Sequence, residues 1–409
     1  MKHHFSSRVA GAKRSAIREL LKLTEQPDII SFGGGLPAPE TFPHEEMAEI
    51  AAELIREKYA NVLQYGLTEG SKTLRQAVCD WLRPQGMDVT IHELLVATAS
   101  QQALDLLCKA FLDPGDVVFC GLPTYLGAVQ AFTLFQVDKV GVPLEDDGMD
   151  LDELEARIER AKGAGKTLKA IYVIPDFQNP SGITMSLDKR KRLLEIARRE
   201  DLLIFEDNPY GQLRFAGEPI PSICSMDDEG RVILLLTFSK TLCAGLRLAV
   251  MLARGDLMDA LVRAKQATDL CTSKLTQHLA AQYMLRYGLE NHLEEIRPIY
   301  REKRNAMIAA LERYMPEDAG ITWTEPEGGL FVWMRLPEGI DATDMLQDAI
   351  EHKVAYVPGA SSYVDGGGQN TIRLSFSVVS PETIDEGIRR LASVVKTAIQ
   401  AKRVTAGAR

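Results

Sequence analysis

Lys240 lies in the stretch LLLTFSKTLCAGLR, where an apolar run gives way to Thr237, Phe238 and Ser239, and Arg247 follows in the same loop. A lysine closing a buried strand can be a polar cap. Held between hydroxyls and a guanidinium, it can instead serve as a nucleophile beside a bound anion. Other groups able to do chemistry recur in the same setting. Asn179 of IYVIPDFQNPSG, and Asp207 and Tyr210 of LLIFEDNPYG, each follow an apolar run, while Ser100 and Gln101 open a helical pattern after LLVATA. Free backbone N–H groups and the dipole at such a helix start favour a phosphate. Singly, these residues read as turns and caps. At one edge of one sheet they would combine an amine, a carboxylate and an anion cradle.

The elements that must position them alternate. From about residue 90, short β-rich runs (LLVATA, DVVFCG, KAIYVIP, DLLIFED, RVILLLTF) are interleaved with helical periodicity such as SQQALDLLCKAF and LDKRKRLLEIARRE. That alternation predicts an α/β fold with a mostly parallel sheet covered on both faces, and ligands in such sheets sit at the carboxyl ends of the strands. After Gly288 the pattern changes to a long charged helix, then shorter strands in GLFVWMRL and TIRLSFS, then a final helix. The expected organisation is an N-terminal arm and helix over residues 1–40, a large domain over 41–288 and a smaller α+β C-terminal domain over 289–409.

Composition narrows the function classes. The 409 residues carry a net charge of -10, with 45% hydrophobic and 25% charged residues and no basic block, so no nucleic-acid surface is expected. The six cysteines form no CxxC, the seven histidines no HExxH, and no apolar run is long enough to span a bilayer. A cytoplasmic protein with reduced thiols, no metal site and no membrane contact is expected. KGAGKT ends like a phosphate-binding loop, but Arg160 stands where that loop requires glycine, and a helix precedes it where a strand is needed. It is expected to be a solvated helix-to-strand loop.

With LQYGLTEG, SQQAL, PTYLGAVQAF, FQNPSG, EDNPYG, TFSKTLCAGLR, PEGGLFVW and NTIRLSFS in this order, the chain resembles fold-type I, pyridoxal-phosphate-dependent aminotransferases of class I over nearly its whole length. Its N-terminal IRELLKLTEQPDIISFGGGLPAPETFP looks like the 2-aminoadipate (LysN-like) and kynurenine aminotransferase branch. The resemblance implies pyridoxal 5'-phosphate held by Lys240 as an imine, with Asp207 on the pyridine nitrogen. Tyr210 and Asn179 would bond the phenolic oxygen and Tyr125 would stack on the ring. Ser100, Gln101, Thr237, Ser239 and Arg247 would hold the phosphate, joined by Tyr65 from the neighbouring subunit of a homodimer with shared sites.

For the substrate, the resemblance implies that Arg373 of NTIRLSFS pairs with the α-carboxylate, that the backbone at Gly34 and Gly35 lines the pocket, and that Arg18 meets a distal side-chain carboxylate. The implied activity is ping-pong transfer of an amino group from an L-amino acid (2-aminoadipate, aromatic, branched-chain or glutamate-like) to a 2-oxo acid, 2-oxoglutarate being the expected acceptor. A β-eliminating lyase on the same fold is the alternative. An effector-sensing domain of a transcription regulator is disfavoured, because the stretch ahead of Ile17 is expected to be too short for a DNA-binding module. Ala99, where the family commonly has glycine, and Cys243 with Ala244, where it commonly has Ala-Pro or Ser-Pro, are departures that touch only turn geometry. Cys243 is expected to be a packing residue.

Overall fold

The computed structural model describes residues 4–10 and 28–407. Its strands in chain order are β1 (Ile30–Ser31), β2 (Leu94–Ala97), β3 (Val117–Leu122), β4 (Asp138–Glu145), β5 (Gly148–Met149), β6 (Leu168–Val173), β7 (Leu203–Asn208), β8 (Val232–Thr237) and β9 (Ala249–Leu252). The C-terminal part adds β10 (Thr322–Trp323), β11 (Phe331–Arg335), β12 (Val354–Ala355), β13 (Val357–Pro358) and β14 (Thr371–Ser375).

Strands β2 to β9 form one eight-stranded sheet in the order β2-β9-β8-β7-β6-β3-β4-β5. The neighbours β4, β3, β6, β7 and β8 are parallel. Every position of β2, β3, β8 and β9 is buried, as expected of strands covered on both faces, which read as unbroken apolar runs rather than alternating ones. Because β9 is antiparallel to both β2 and β8, β2 points the same way as β8. The carboxyl ends of β2, β3, β6, β7 and β8 therefore share one edge of the sheet, where ligands bind in this architecture.

Strands β4, β5 and β9 are absent from the sequence-based scheme. β4 is only partly buried along its length and β5 spans two residues, so neither presents a clear apolar run. β9 follows the Lys240 loop so closely that it reads as part of it.

Two helices start on side-chain caps. Asp150 accepts from the Glu153 amide at 2.9 Å ahead of the helix Leu151–Gly163, and Ser186 accepts from the Lys189 amide at 3.4 Å ahead of Leu187–Arg199. Lys162 and Gly163 of KGAGKT close the helix Leu151–Gly163, and its remaining four residues form the loop that leads into β6. The long helix Leu289–Tyr314 leads to a second, four-stranded antiparallel sheet in the order β10-β11-β14-β13. The final helix, Pro381–Gly407, packs on Leu289–Tyr314. β1 pairs in parallel with β12, so the N-terminal segment is tied to the C-terminal part of the chain. Among the described residues no helix is long and apolar enough to cross a membrane.

Candidate active site

At the shared edge lies a cavity of about 190 Å3 whose wall includes Ser100, Gln101, Tyr125, Asn179, Asp207, Tyr210, Thr237, Ser239, Lys240 and Arg247. Each arrives from a strand end. Ser100 and Gln101 are in the first turn of the helix Ala99–Phe111, which follows β2. Tyr125 immediately precedes the helix Leu126–Leu134 after β3, Asn179 follows β6, Asp207 is the penultimate residue of β7, and Lys240 follows β8.

Lys240 is open to this cavity but enclosed by protein. Its Nζ donates to the Gly35 carbonyl. Burial, reinforced by the Arg373 and Arg247 charges, brings its amine down to about 8, since both effects disfavour the ammonium form. Asp207 is 1% exposed. Tyr172 donates its hydroxyl to Oδ2 of Asp207 at 2.8 Å, while Oδ1 is buried with no hydrogen-bond partner among the described residues. Burial pushes this carboxyl up to about 6, and the Tyr172 bond opposes the shift.

The hydroxyl cluster is built by the turn itself. Thr237 donates to Ser239 Oγ at 3.0 Å and accepts from the Ser239 amide at 3.2 Å, and Arg247 Nη1 approaches the same Ser239 Oγ at 3.4 Å. Thr237 thus orients Ser239. Arg247 adopts a left-handed conformation, φ 49°, and Ala99 does too, φ 62°. A non-glycine residue there costs on the order of 1 kcal/mol, and such strain gathers at functional sites. Ser100 Oγ is buried with no partner among the described residues. Gln101 Nε2 donates to the Gly127 carbonyl at 3.1 Å, tying two helix starts together. Burial pushes the Cys243 thiol up to about 11, which suits packing rather than nucleophilic attack.

Arg373 sits behind the cavity wall and joins it through Asn179. Its Nη1 donates to Asn179 Oδ1 at 3.1 Å, its Nη2 to the Gly33 carbonyl at 2.7 Å, and its guanidinium lies 4.4 Å from the centre of the Phe331 ring. Asn179 Nδ2 in turn donates to the Tyr210 hydroxyl at 3.4 Å. Burial brings Arg373 down to about 10, and among the described residues no carboxylate pairs with it. A buried cation held only by neutral acceptors is costly unless an anion joins it.

Most of the residues picked from the sequence therefore meet at one place. Gly35 is among them through its carbonyl, and a Cβ there would come within 2.8 Å of the Phe331 ring, which is why glycine is needed. Gly34 lies between Gly33 and Gly35, whose carbonyls accept from Arg373 and Lys240. Tyr65 is not brought to the cavity within the chain and is 78% exposed. Arg18 lies outside the described residues. Sequence reasoning missed Tyr172, Phe331 and Gly33. The signal for Tyr172 was a hydroxyl inside the buried, otherwise apolar stretch 170–173 of β6.

A mostly parallel α/β sheet thus carries a lysine with a lowered amine pKa, a buried carboxylate and a cluster of hydroxyls with an arginine at its carboxyl edge. Residues 28–391 match the family described as aminotransferase class I and II, and the chain belongs to that family. It is similar to aromatic-amino-acid aminotransferase 1 of Thermococcus litoralis, 47% identical over 395 residues that cover 96% of this chain and 94% of the relative. It is also similar to 2-aminoadipate transaminase of Thermus thermophilus, 44% identical over 385 residues, 93% of this chain and 94% of the relative. Among solved structures, it superposes on LysN, the α-aminoadipate aminotransferase of T. thermophilus complexed with N-(5'-phosphopyridoxyl)-L-leucine. The TM-score is 0.89 at 42% identity, covering 97% of this chain and 98% of that one.

The protein is thus an aminotransferase that uses pyridoxal 5'-phosphate. The residues present fit that group. Asp207 Oδ1 and Ser100 Oγ are buried polar atoms awaiting a partner, and Arg247 with Ser239 supplies charge and a hydroxyl for a phosphate.

Proposed function

We propose that this aminotransferase moves the amino group of an L-amino acid to a 2-oxo acid by a ping-pong scheme, with 2-oxoglutarate as acceptor. Its donors are aromatic amino acids and 2-aminoadipate, extending to branched-chain and glutamate-like ones. The donor range follows the relatives named for aromatic and 2-aminoadipate substrates. The observation that carries the proposal is that a lysine with a lowered amine pKa and a buried arginine, which has no carboxylate partner among the described residues, both bond carbonyls of the same glycine turn.

Lys240 is the covalent anchor of the cofactor. An amine brought down to about 8 is neutral in an appreciable fraction near neutral pH, the form able to serve as a nucleophile and to take and return a proton at the substrate α-carbon. When bound, pyridoxal phosphate supplies the electron sink that accepts the electron pair left at that carbon. Asp207 would hold a positive charge on the ring nitrogen, Tyr210 and Asn179 would bond the phenolic oxygen, and Tyr125 would pack against the ring. Ser100, Gln101, Ser239 and Arg247 would bind the phosphate, with Thr237 orienting Ser239. Arg373 offers its planar fork to the substrate α-carboxylate, with the backbone of Gly34 and Gly35 closing that side.

The same reading makes the working form a homodimer in which Tyr65 reaches the neighbouring site. It is supported by the exposure of Tyr59, Leu63, Tyr65 and Leu67 along one segment, since large apolar side chains gathered in one place mark contact surfaces. Arg18 would contact a distal carboxylate of the substrate.

The test is a set of half-reactions. Single amino acids are added to the loaded protein without acceptor, and the absorbance of the lysine-bound cofactor is followed. It should fall with 2-aminoadipate and aromatic donors and recover on adding 2-oxoglutarate. Release of ammonia and pyruvate without any acceptor would show a lyase instead.

A further inference from the structure

Tyr172 lies on β6 opposite Phe205 of β7, in a register where Val173 faces Glu206. Asp207 is two residues beyond Phe205, so it projects from the same face of the sheet as Tyr172, one diagonal step toward the carboxyl edge. A tyrosine is long enough to bridge that diagonal. Its hydroxyl reaches Asp207 Oδ2 at 2.8 Å, and its ring is braced edge-on by Phe132, with centroids 5.7 Å apart and planes at 80°. Tyr172 is 1% exposed, so neither partner has bulk water to fall back on. The bond leaves Asp207 Oδ1 as the buried oxygen without a partner among the described residues.

We infer that Tyr172 is a positioning residue of the transamination reaction, which fixes the rotamer of Asp207 and sets how strongly its carboxylate competes with the ring nitrogen for the shared proton. A carboxylate that accepts a hydrogen bond is a weaker base than a bare one in the same dry pocket. With Tyr172 donating, the proton stays on the ring nitrogen, the charged state that makes the ring an effective electron acceptor. Without it, Asp207 draws the proton toward itself. The other hydroxyls that act on this pair electrostatically are Tyr125 and Tyr210, and each remains in place when Tyr172 is changed.

The role of Tyr172 rests on that of Asp207 as the partner of the ring nitrogen, and the experiment separates the two. The protein is loaded with pyridoxal phosphate labelled with 15N in the ring, and the nitrogen shift is recorded by NMR. Tyr172→Phe is expected to move the shift from the pyridinium range toward neutral pyridine. Replacing Tyr172 with 3-fluorotyrosine, a stronger donor, should hold the shift at or beyond the parent's pyridinium position. Phe132→Leu weakens the ring brace but keeps the hydroxyl, and should lower stability while leaving the shift near the parent value. If Asp207→Asn moves the shift and Tyr172→Phe does not, Tyr172 serves packing alone and the inference is wrong. If Asp207→Asn also leaves the shift unmoved, the role assigned to Asp207 fails first. Should Tyr172→Phe not fold, the fluorotyrosine protein decides, since a shift displaced toward neutral pyridine contradicts the inference.

Discussion

Arg373 and Asn179 meet at 3.1 Å across 194 positions of chain, joining the four-stranded sheet to the edge of the eight-stranded one. Asn179 also donates to Tyr210, so one carboxamide fixes both the group assigned to the substrate carboxylate and the group assigned to the cofactor oxygen. Asn179→Ala is therefore expected to lower kcat and raise KM for the amino acid together. Leaving a buried charged donor unpaired costs about 2 kcal/mol, so kcat/KM should fall on the order of thirtyfold or more. Steady-state kinetics check this; a change confined to kcat would separate Arg373 from Asn179.

Arg373→Lys keeps the charge but loses the planar fork. The ammonium is a point charge that cannot hold Asn179 and Gly33 while also gripping a carboxylate in two places. The expected loss is on the order of a hundredfold in kcat/KM, most of it in KM, with cofactor absorbance unchanged. Titrating the variant with a non-reactive dicarboxylate inhibitor gives the same answer without turnover.

The turns were less legible than the strands. The strand ends that deliver Lys240, Asp207, Asn179 and Ser100 announce themselves as apolar runs that stop at polar residues, because a strand buried on both faces has little freedom in composition. What the sequence could not show is how side chains meet across strands. Tyr172 bonds Asp207 through a diagonal of the large sheet, and Phe331 of β11 supports Arg373 of the neighbouring strand β14 through a diagonal of the small one, contacts that depend on register and packing rather than on spacing along the chain. The antiparallel β9 was hidden by the loop that precedes it, and the place of Arg18 lies outside the described residues.

Ala99 stands with φ 62° where a glycine would be unstrained. Ala99→Gly is expected to range from neutral to about 1 kcal/mol stabilising, the relief being offset by the greater freedom of glycine in the unfolded chain. A β-branched residue fits this region worst, so Ala99→Val should cost about 2 kcal/mol or more. Denaturant unfolding of the three proteins gives the order directly.

Asp207 makes the cofactor-free protein sensitive to pH. Its folded carboxyl keeps a proton up to about 6, against an ordinary value of 3.8. The folded state therefore binds more protons within that window, and stability falls as pH rises through it. Glu206, buried and raised to about 7, acts in the same direction. Asp207→Asn removes one of the two contributions. The variant apoprotein should be more stable than the parent above about pH 6, by on the order of 2 kcal/mol, with the gap closing below about pH 4. Urea unfolding across that range checks the sign.

The Lys240 amine, brought down to about 8, should set how fast apoprotein captures the cofactor. The neutral fraction rises through that value and then saturates. The capture rate is expected to climb with pH and level off near pH 9; a rate still climbing at about pH 10 would point to an ordinary exposed lysine.

The central claim is that Lys240, among all the lysines of the chain, holds the cofactor. Borohydride reduction of the loaded protein, followed by digestion and peptide mass mapping, tests it most directly. One pyridoxyl-phosphate label on the peptide carrying Lys240, lost in Lys240→Ala, is the predicted result. A label on another lysine, or an unchanged label in Lys240→Ala, would contradict it.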